Sequence, residues 1–334
     1  MITRPKYRVL VTDYVWPSTG PEREVLAGIG AEVIEAPDPS EDTLMSLAAN
    51  ADGIMTCFAQ VTSKVVQAAR QCMVISRYGV GVDNIAVETA TEEGIVVTYV
   101  PDYCVDEVSD HVMALLLSWN RQIGFYDQVA RQGIWSGTPS PIPLVRLRGQ
   151  KLGIIGLGRI GRLVARKAQG FGLEVLGHDP YLGDGDSLPT GVKVVDLPTL
   201  LSESDYVTIH TPLNDATRGL ISTKELSRMK PTAYIINCAR GPIIDEAALY
   251  AALRDRRIAG AGLDVLEQAA PSGDNPLFQL DNVLVTPHFA FLSQQSVHEL
   301  EVRTAQATVD VLQGRMPQFL VNPNVLPQAR ARLS

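Results

Sequence analysis

The sequence predicts an α/β chain built from two doubly wound parallel-sheet domains. Three observations predict it. Short β-branched apolar runs alternate with longer helix-like segments almost throughout. The runs fall into two series separated by a long helical stretch and a proline-rich loop. The second series opens with a glycine-rich turn between a strand and a helix. Alternation of this kind calls for parallel pairing, because each crossover helix returns the chain to the same edge and covers a face of the sheet. Strands buried on both faces then read as continuous apolar runs.

In the first series, strands are expected at 7–12, 32–35, 53–57, 73–76 and 95–99, with helices at 22–29, 41–49 and 63–70 between them. A helix over 106–120, continuing to about 132, opens the second domain, and a loop with Pro139, Pro141 and Pro143 follows it. The second series has strands at 151–155, 174–177, 206–210, 233–237, 260–264 and 283–286. A last helix over 293–313 carries Val297, Leu300, Ala305, Val309 and Leu312 at roughly helical spacing and is expected to pack back on the first domain.

The bulk properties narrow the function classes. A length of 334 residues suits two domains better than one. A net charge of -8 with no basic run excludes phosphate-neutralising contact with nucleic acid. No apolar stretch is long enough to span a bilayer, and the start of the chain, Met1 to Lys6, lacks the apolar segment of a signal peptide. Cys57, Cys72, Cys104 and Cys238 form no C-x-x-C pair and no metal-ligand spacing, so structural thiols in a reduced cytoplasmic protein without a metal are expected.

The glycine-rich turn is Gly156-Leu157-Gly158-Arg159-Ile160-Gly161, a G-x-G-x-x-G in its strand–turn–helix context. Gly156 makes the tight turn, Gly158 lets backbone approach a pyrophosphate, and Gly161 lets the helix pack on the strand. The helix start at Arg159 and Ile160 supplies free N–H groups for phosphate. The next strand ends at Asp179, placed to accept ribose hydroxyls and to repel a 2′-phosphate, which favours NAD over NADP.

Beyond this turn the chain resembles the D-2-hydroxyacid dehydrogenase family over nearly its whole length. The likeness is carried by Arg77-Tyr78-Gly79-Val80-Gly81-Val82-Asp83-Asn84, the fingerprint, His210-Thr211-Pro212-Leu213, Asn237-Cys238-Ala239-Arg240-Gly241 and Thr286-Pro287-His288. Val100-Pro101-Asp102-Tyr103-Cys104 and Phe289-Ala290-Phe291 are most similar to the C-terminal-binding-protein-like branch, which includes bacterial dehydrogenase-like members and a eukaryotic transcriptional corepressor. The resemblance implies Rossmann/flavodoxin-like domains with a cleft between them. It implies a discontinuous substrate domain (1–100 plus 291–334), an NAD-binding domain (101–290) and a homodimer formed largely through the cofactor domains.

The resemblance also implies an NAD(H)-dependent oxidoreductase interconverting a 2-oxo acid and a D-2-hydroxy acid. Arg240 would grip the substrate carboxylate and carbonyl oxygen, which its planar fork suits, and His288 would be the acid–base residue. The N–H groups of Val80 and Gly81 would meet the carboxylate, with Tyr99 lining the pocket or simply packing. Cofactor contacts would extend to His210, Thr211, Pro212, Thr217, Cys238, Ala239, Asp264 and His288. His111, His178 and His298 are expected to be structural. Phe58, Tyr99 and Trp135 suggest an apolar or aromatic 2-oxo acid, and the lack of an arginine pair near 57–62 argues against a phosphoglycerate-type grip.

One position departs from the family pattern. The Glu expected five residues after Asp264 falls on Ala269, or on Ala270 if the following proline is aligned. That Glu normally orients the imidazole. Three alternatives follow: a dehydrogenase in which Glu267, Gln268 or Asp274 reaches His288, altered chemistry on the same NAD-bound scaffold, or a non-catalytic NAD(H)-sensing protein.

Overall fold

The computed structural model describes residues 6–183, 187–269 and 271–334. Residues 1–5, and with them most of the start read for a signal peptide, and Ala270 lie outside the described residues. The chain divides into two compact units, Met1–Tyr103 with Ser293–Ser334, and Cys104–Leu292.

The first unit runs β1 (Tyr7–Val11), α1 (Gly20–Ala27), β2 (Ala31–Glu35), α2 (Glu41–Ala48), β3 (Gly53–Thr56), α3 (Ser63–Ala68), β4 (Val74–Arg77), α4 (Val87–Glu92) and β5 (Val96–Thr98). Its sheet has the order β2-β1-β3-β4-β5, with every pair parallel. One face is sealed by Leu10, Ile54, Ile75 and Val97 against Leu44, Val65, Val66 and Ala90 of the crossover helices. Burying each such side chain contributes about 1.5–3 kcal/mol. This is why the runs carry so few polar residues.

The second unit contains α5 (Val105–Arg121), α6 (Ile123–Arg131), β6 (Lys151–Ile155), α7 (Arg159–Gly170), β7 (Glu174–His178), β8 (Val192–Val194), α8 (Leu197–Glu203) and β9 (Tyr206–Ile209). It continues through α9 (Thr223–Leu226), β10 (Tyr234–Asn237), α10 (Glu246–Arg254), β11 (Gly260–Leu263) and β12 (Val283–Val285). The seven-stranded sheet has the order β12-β11-β10-β9-β6-β7-β8 and is parallel throughout. Side-chain alternation splits its core in two. Leu152, Ile154, Tyr234 and Ile236 pack with Val112, Leu116, Trp119 and Val164. Ile155, Val207, Ile209 and Ile235 pack with Leu200, Leu249 and Leu253 on the opposite face.

The last helix, α11 (Gln294–Leu312), lies in the first unit. There Thr308 Oγ1 donates to Ser76 Oγ at 2.8 Å, and Tyr7 OH donates to the carbonyl of Leu312 at 2.9 Å.

Two elements differ from expectation. The single helix expected over 106–132 is two, because Gln122 adopts a left-handed conformation (φ 52°, ψ 41°) and its Nε2 donates to the Trp119 carbonyl at 2.8 Å. Helix α5 buries a stripe that includes Val112, Leu116 and Trp119, whereas α6 buries no residue, so the apolar period read across both does not describe one packed face. The edge strand β8 was not anticipated; three residues flanked by loop carry too little periodicity.

Candidate active site

In the second unit the strand order reverses direction at β6, which lies between β9 and β7. Open α/β sheets bind ligands at such a switch point, outside the carboxyl ends of the strands. Gly156 stands there with φ 96°, and a Cβ on it would meet the His210 carbonyl at 2.7 Å. A Cβ on Gly161 would meet the Gly156 carbonyl oxygen at 2.1 Å, so helix α7 sits hard against the strand end. Gly158 is the contrary case: a Cβ there meets nothing within 4 Å. The N–H groups of Gly158, Arg159 and Ile160 have no acceptor among the described residues. This is an open cradle of donors at a helix N-terminus, and it fits a pyrophosphate.

Asp179, after β7, turns one oxygen to the Leu157 N–H (Oδ2, 2.9 Å) and the other to the Tyr181 N–H (Oδ1, 3.0 Å). The carboxylate thus braces the turn and remains partly exposed beside it. At the end of β9, the Thr211 hydroxyl is buried with no hydrogen-bond partner among the described residues, an orphan that a bound dinucleotide would satisfy. Thr217 is not comparably available: its Oγ1 donates to the Pro212 carbonyl at 2.6 Å and accepts from the Asn214 N–H at 2.9 Å, closing the 212–217 loop. Burial pushes the His210 imidazole down to about 3, so the ring is neutral, and its Nε2 lies 3.0 Å from Thr208 Oγ1.

The ends of β10, β11 and β12 carry the remaining residues. Arg240 follows β10 in extended conformation, and its Nη1 donates to the Ala239 carbonyl at 2.8 Å. Asn237 ties this loop by accepting from the Ala239 N–H at 3.0 Å and donating to the Arg240 carbonyl at 2.9 Å. Gly241 seals it: a Cβ there would fall 1.8 Å from the Leu266 carbonyl oxygen. The Cys238 thiol is held well above its ordinary range, by burial first and by Asp264 second, so it is a neutral neighbour and not a nucleophile.

His288 has φ 58°, a conformation that costs an ordinary residue about 1–3 kcal/mol and persists only when neighbours impose it. Asp264 imposes it. Its side chain is fully buried, and it accepts from Thr286 Oγ1 (Oδ1, 2.6 Å), the Phe289 N–H (Oδ1, 2.9 Å) and the Ala290 N–H (Oδ2, 3.0 Å). The Asp264 carbonyl accepts the His288 N–H at 2.8 Å. Thr286 spends its only proton on Asp264, so its 2.9 Å contact with His111 Nε2 makes that nitrogen the donor and fixes the His111 tautomer.

In the first unit, the loop after β4 is shaped by Arg77, whose Nε donates to the Gly81 carbonyl at 2.9 Å and whose Nη1 donates to the Tyr78 carbonyl. Gly79 lies over that guanidinium with φ 139°. The N–H groups of Val80 and Gly81 have no acceptor among the described residues. Tyr99 packs edge-on to Phe319 at 6.0 Å.

Residues 113–290, more than half of the chain, match the model of the D-isomer specific 2-hydroxyacid dehydrogenase NAD binding domain. The chain belongs to the D-isomer specific 2-hydroxyacid dehydrogenase family. It is similar to a glyoxylate reductase of Korarchaeum cryptofilum, with 37% identity over 87% of this chain and 89% of that protein. It is similar to a D-3-phosphoglycerate dehydrogenase of Methanocaldococcus jannaschii at 37% identity over 97% of this chain, but spans only 61% of that longer protein. Among solved structures, a D-lactate dehydrogenase of Aquifex aeolicus complexed with NAD and lactic acid superposes with a TM-score of 0.84, at 27% identity over 92% of this chain and 96% of that one.

Within this dehydrogenase the second unit gathers Gly156, His210, Arg240, Asp264 and His288 at the carboxyl ends of its parallel strands. Three groups singled out in the sequence take the following places. The Asp264 carboxylate, expected among the cofactor contacts, is wholly buried and accepts three hydrogen bonds from the 286–290 loop. The side chains of Glu267, Gln268 and Asp274, offered as substitutes for the missing Glu, are exposed and make no hydrogen bond or ion pair among the described residues, and Ala269 is exposed beside them. Trp135 is 86% exposed in the 132–150 loop and lines no pocket there. Sequence reasoning also left His111 as merely structural. Nothing in the pattern of α5 shows that one of its histidines reaches Thr286, 175 residues on.

Proposed function

We propose that the chain is an NAD(H)-dependent oxidoreductase that interconverts a small unphosphorylated 2-oxo acid and its D-2-hydroxy acid. The observation that carries this reading is His288, held at positive φ by the buried Asp264 at the carboxyl ends of the same sheet's strands as the dinucleotide turn. An imposed, strained histidine beside a nicotinamide site suits acid–base work. Bound nicotinamide supplies the hydride. His288 donates the proton to the forming alkoxide, and Arg240 holds the substrate carboxylate and polarises the 2-oxo group. The free N–H groups of Val80 and Gly81 are assigned to the carboxylate. His210, neutral at any working pH, contributes polarity without titrating.

NAD is preferred to NADP because Asp179 keeps a carboxylate beside the turn. A phosphorylated substrate is disfavoured by Asp13. Its carboxylate already occupies the N–H groups of Cys57, Phe58 and Ala59, at 3.0, 2.6 and 3.1 Å, where an anion would otherwise bind. The C-terminal-binding-protein-like branch rests on two short segments, and the enzymatic reading is the one we adopt. A homodimer through the second unit is proposed on the apolar surface of α6 and its following loop. Ile123, Ile134, Trp135, Leu144 and Val145 are 55, 45, 86, 40 and 42% exposed there. The four free thiols suit the cytoplasm.

The test is loss of NADH absorbance across a panel of 2-oxo acids, with NADH affinity measured in parallel. Turnover supports the reading. NADH binding without turnover on any of them overturns it in favour of a sensing protein, a reading that the missing carboxylate at Ala269 itself favours.

A further inference from the structure

The first unit buries two acids that the proposed chemistry does not use. Glu22 on α1 is 0% exposed and Glu301 on α11 is 6% exposed. Glu22 Oε1 accepts from Trp16 Nε1 at 3.3 Å and from Tyr78 OH at 3.0 Å. Its other oxygen is buried without a partner, and Glu301 has no hydrogen bond or ion pair among the described residues. Buried carboxylates without a cation are costly to ionise. Helices α1 and α11 pack together, and a fold that buries an acid on each, one of them bonded to a tyrosine, gains something other than stability.

Tyr78 links them to the loop. It is 1% exposed, its ring meets Trp16 edge-on at 4.9 Å, its N–H donates to the Thr56 carbonyl at 2.9 Å, and its carbonyl accepts from Arg77. The next residues are Gly79, Val80 and Gly81. Glu22 thus anchors the start of this turn through the Tyr78 side chain, while Arg77 holds its carbonyls.

We propose that Glu22 is a positioning residue for the 77–84 loop, acting through Tyr78, and that the shared charge of Glu22 and Glu301 makes the loop's affinity for an anionic substrate depend on pH. This rests on the proposed role of Val80 and Gly81 in carboxylate binding.

Burial, and then the charge of Glu22, raise Glu301 to about 7, and burial raises Glu22 as well. Glu301 therefore holds a proton below neutrality and gives it up above, and its charge then opposes that of Glu22. Other groups facing the pair do not neutralise it. Glu35 on β2 is bound by Thr19, Arg23 and Tyr14. Arg77 is directed to the carbonyls of Tyr78 and Gly81, Asp13 to backbone N–H groups, and burial holds the Cys57 thiol neutral, up at about 12. On α11, His298 and Glu299 are exposed, and Arg303 pairs with Asp102 at 2.7 Å and with Glu299. Full ionisation pushes Glu22 and Glu301 apart, loosens the hold on Tyr78, and adds negative charge near the loop.

The experiment compares wild type, Glu22→Gln, Glu22→Ala, Glu301→Gln and Tyr78→Phe from about pH 6 to about pH 9. KM and kcat are measured for the best 2-oxo acid, and oxamate affinity in the presence of NADH is measured at equilibrium. Wild-type KM and oxamate Kd are expected to rise by about fivefold or more across this range with kcat little changed, a typical coupling between sites. Glu301→Gln should flatten the rise. Glu22→Gln, which keeps an acceptor for Tyr78, should match wild type at low pH, whereas Glu22→Ala and Tyr78→Phe should bind weakly at all pH. Trp16 fluorescence should titrate near neutrality in wild type and not in Glu301→Gln. Superimposable oxamate profiles for wild type and Glu301→Gln, or unchanged affinity in Glu22→Ala, would overturn the inference while leaving the dehydrogenase reading intact. If no 2-oxo acid turns over, that reading fails, and the oxamate profiles alone then support or overturn the coupling.

Discussion

At the residue scale the proposed chemistry turns on how His288 is held. The family's usual carboxylate partner is absent at Ala269, and the exposed acids nearby do not reach inward. What the structure supplies is Asp264, which fixes the backbone of the loop that carries the imidazole. His288→Ala is therefore expected to lower kcat by about 10²–10⁴-fold, the usual worth of acid–base help, while Glu267→Ala, Gln268→Ala and Asp274→Ala keep wild-type rates. Asp264→Asn keeps the shape but loses an acceptor for one buried N–H. It should cost about 1–3 kcal/mol in denaturant unfolding and lower turnover as well. The left-handed φ gives an independent check. His288→Gly and His288→Ala both lack the ring, yet the glycine variant should be more stable by about 1 kcal/mol, because only it adopts φ 58° without strain. Equal thermal midpoints would mean that the loop relaxes around the substitution.

At the element scale the glycine-rich turn separates binding from packing. Gly158 faces open space and Gly161 faces the Gly156 carbonyl oxygen at 2.1 Å. Gly158→Ala should leave the melting midpoint of the NADH-free protein unchanged and weaken NADH binding, since its methyl projects where the phosphates approach. Gly161→Ala should destabilise the free protein by about 1–3 kcal/mol through overpacking, and weaken NADH binding as a consequence. Melting curves with and without NADH distinguish the two; equal losses of stability would contradict the assignment. Much of this element was legible beforehand, because strand, turn and helix are local and their glycines carry local meaning. The break at Gln122 was not. The apolar period continues through it, and only the different burial of α5 and α6 shows that the helices part.

At the scale of the whole molecule the buried acids govern the response to pH. Glu301 rises from its ordinary value, 4.5, to about 7, so the folded chain holds a proton that the unfolded chain releases. Stability from this group is fully present at low pH, falls as pH rises between those two values, and is constant above. Glu301→Gln should therefore melt higher than wild type at about pH 8 and lose the advantage toward about pH 5. The homodimer proposed through α6 and its following loop makes a second prediction: wild type should scatter light as a dimer, and Ile123→Ser with Trp135→Ser as a folded monomer. The sequence by itself determined the two sheets and the dinucleotide turn, because strand periodicity and turn glycines are written within a few neighbouring positions, and it pointed to Arg240 and His288 through the family resemblance. Only the tertiary structure decided that Asp264 braces the 286–290 loop, that His111 joins Thr286, and that Glu22 grips Tyr78 56 residues away. Those relations depend on which side chains from distant segments meet in the folded chain and on which carboxylates lose their water. No local pattern records either.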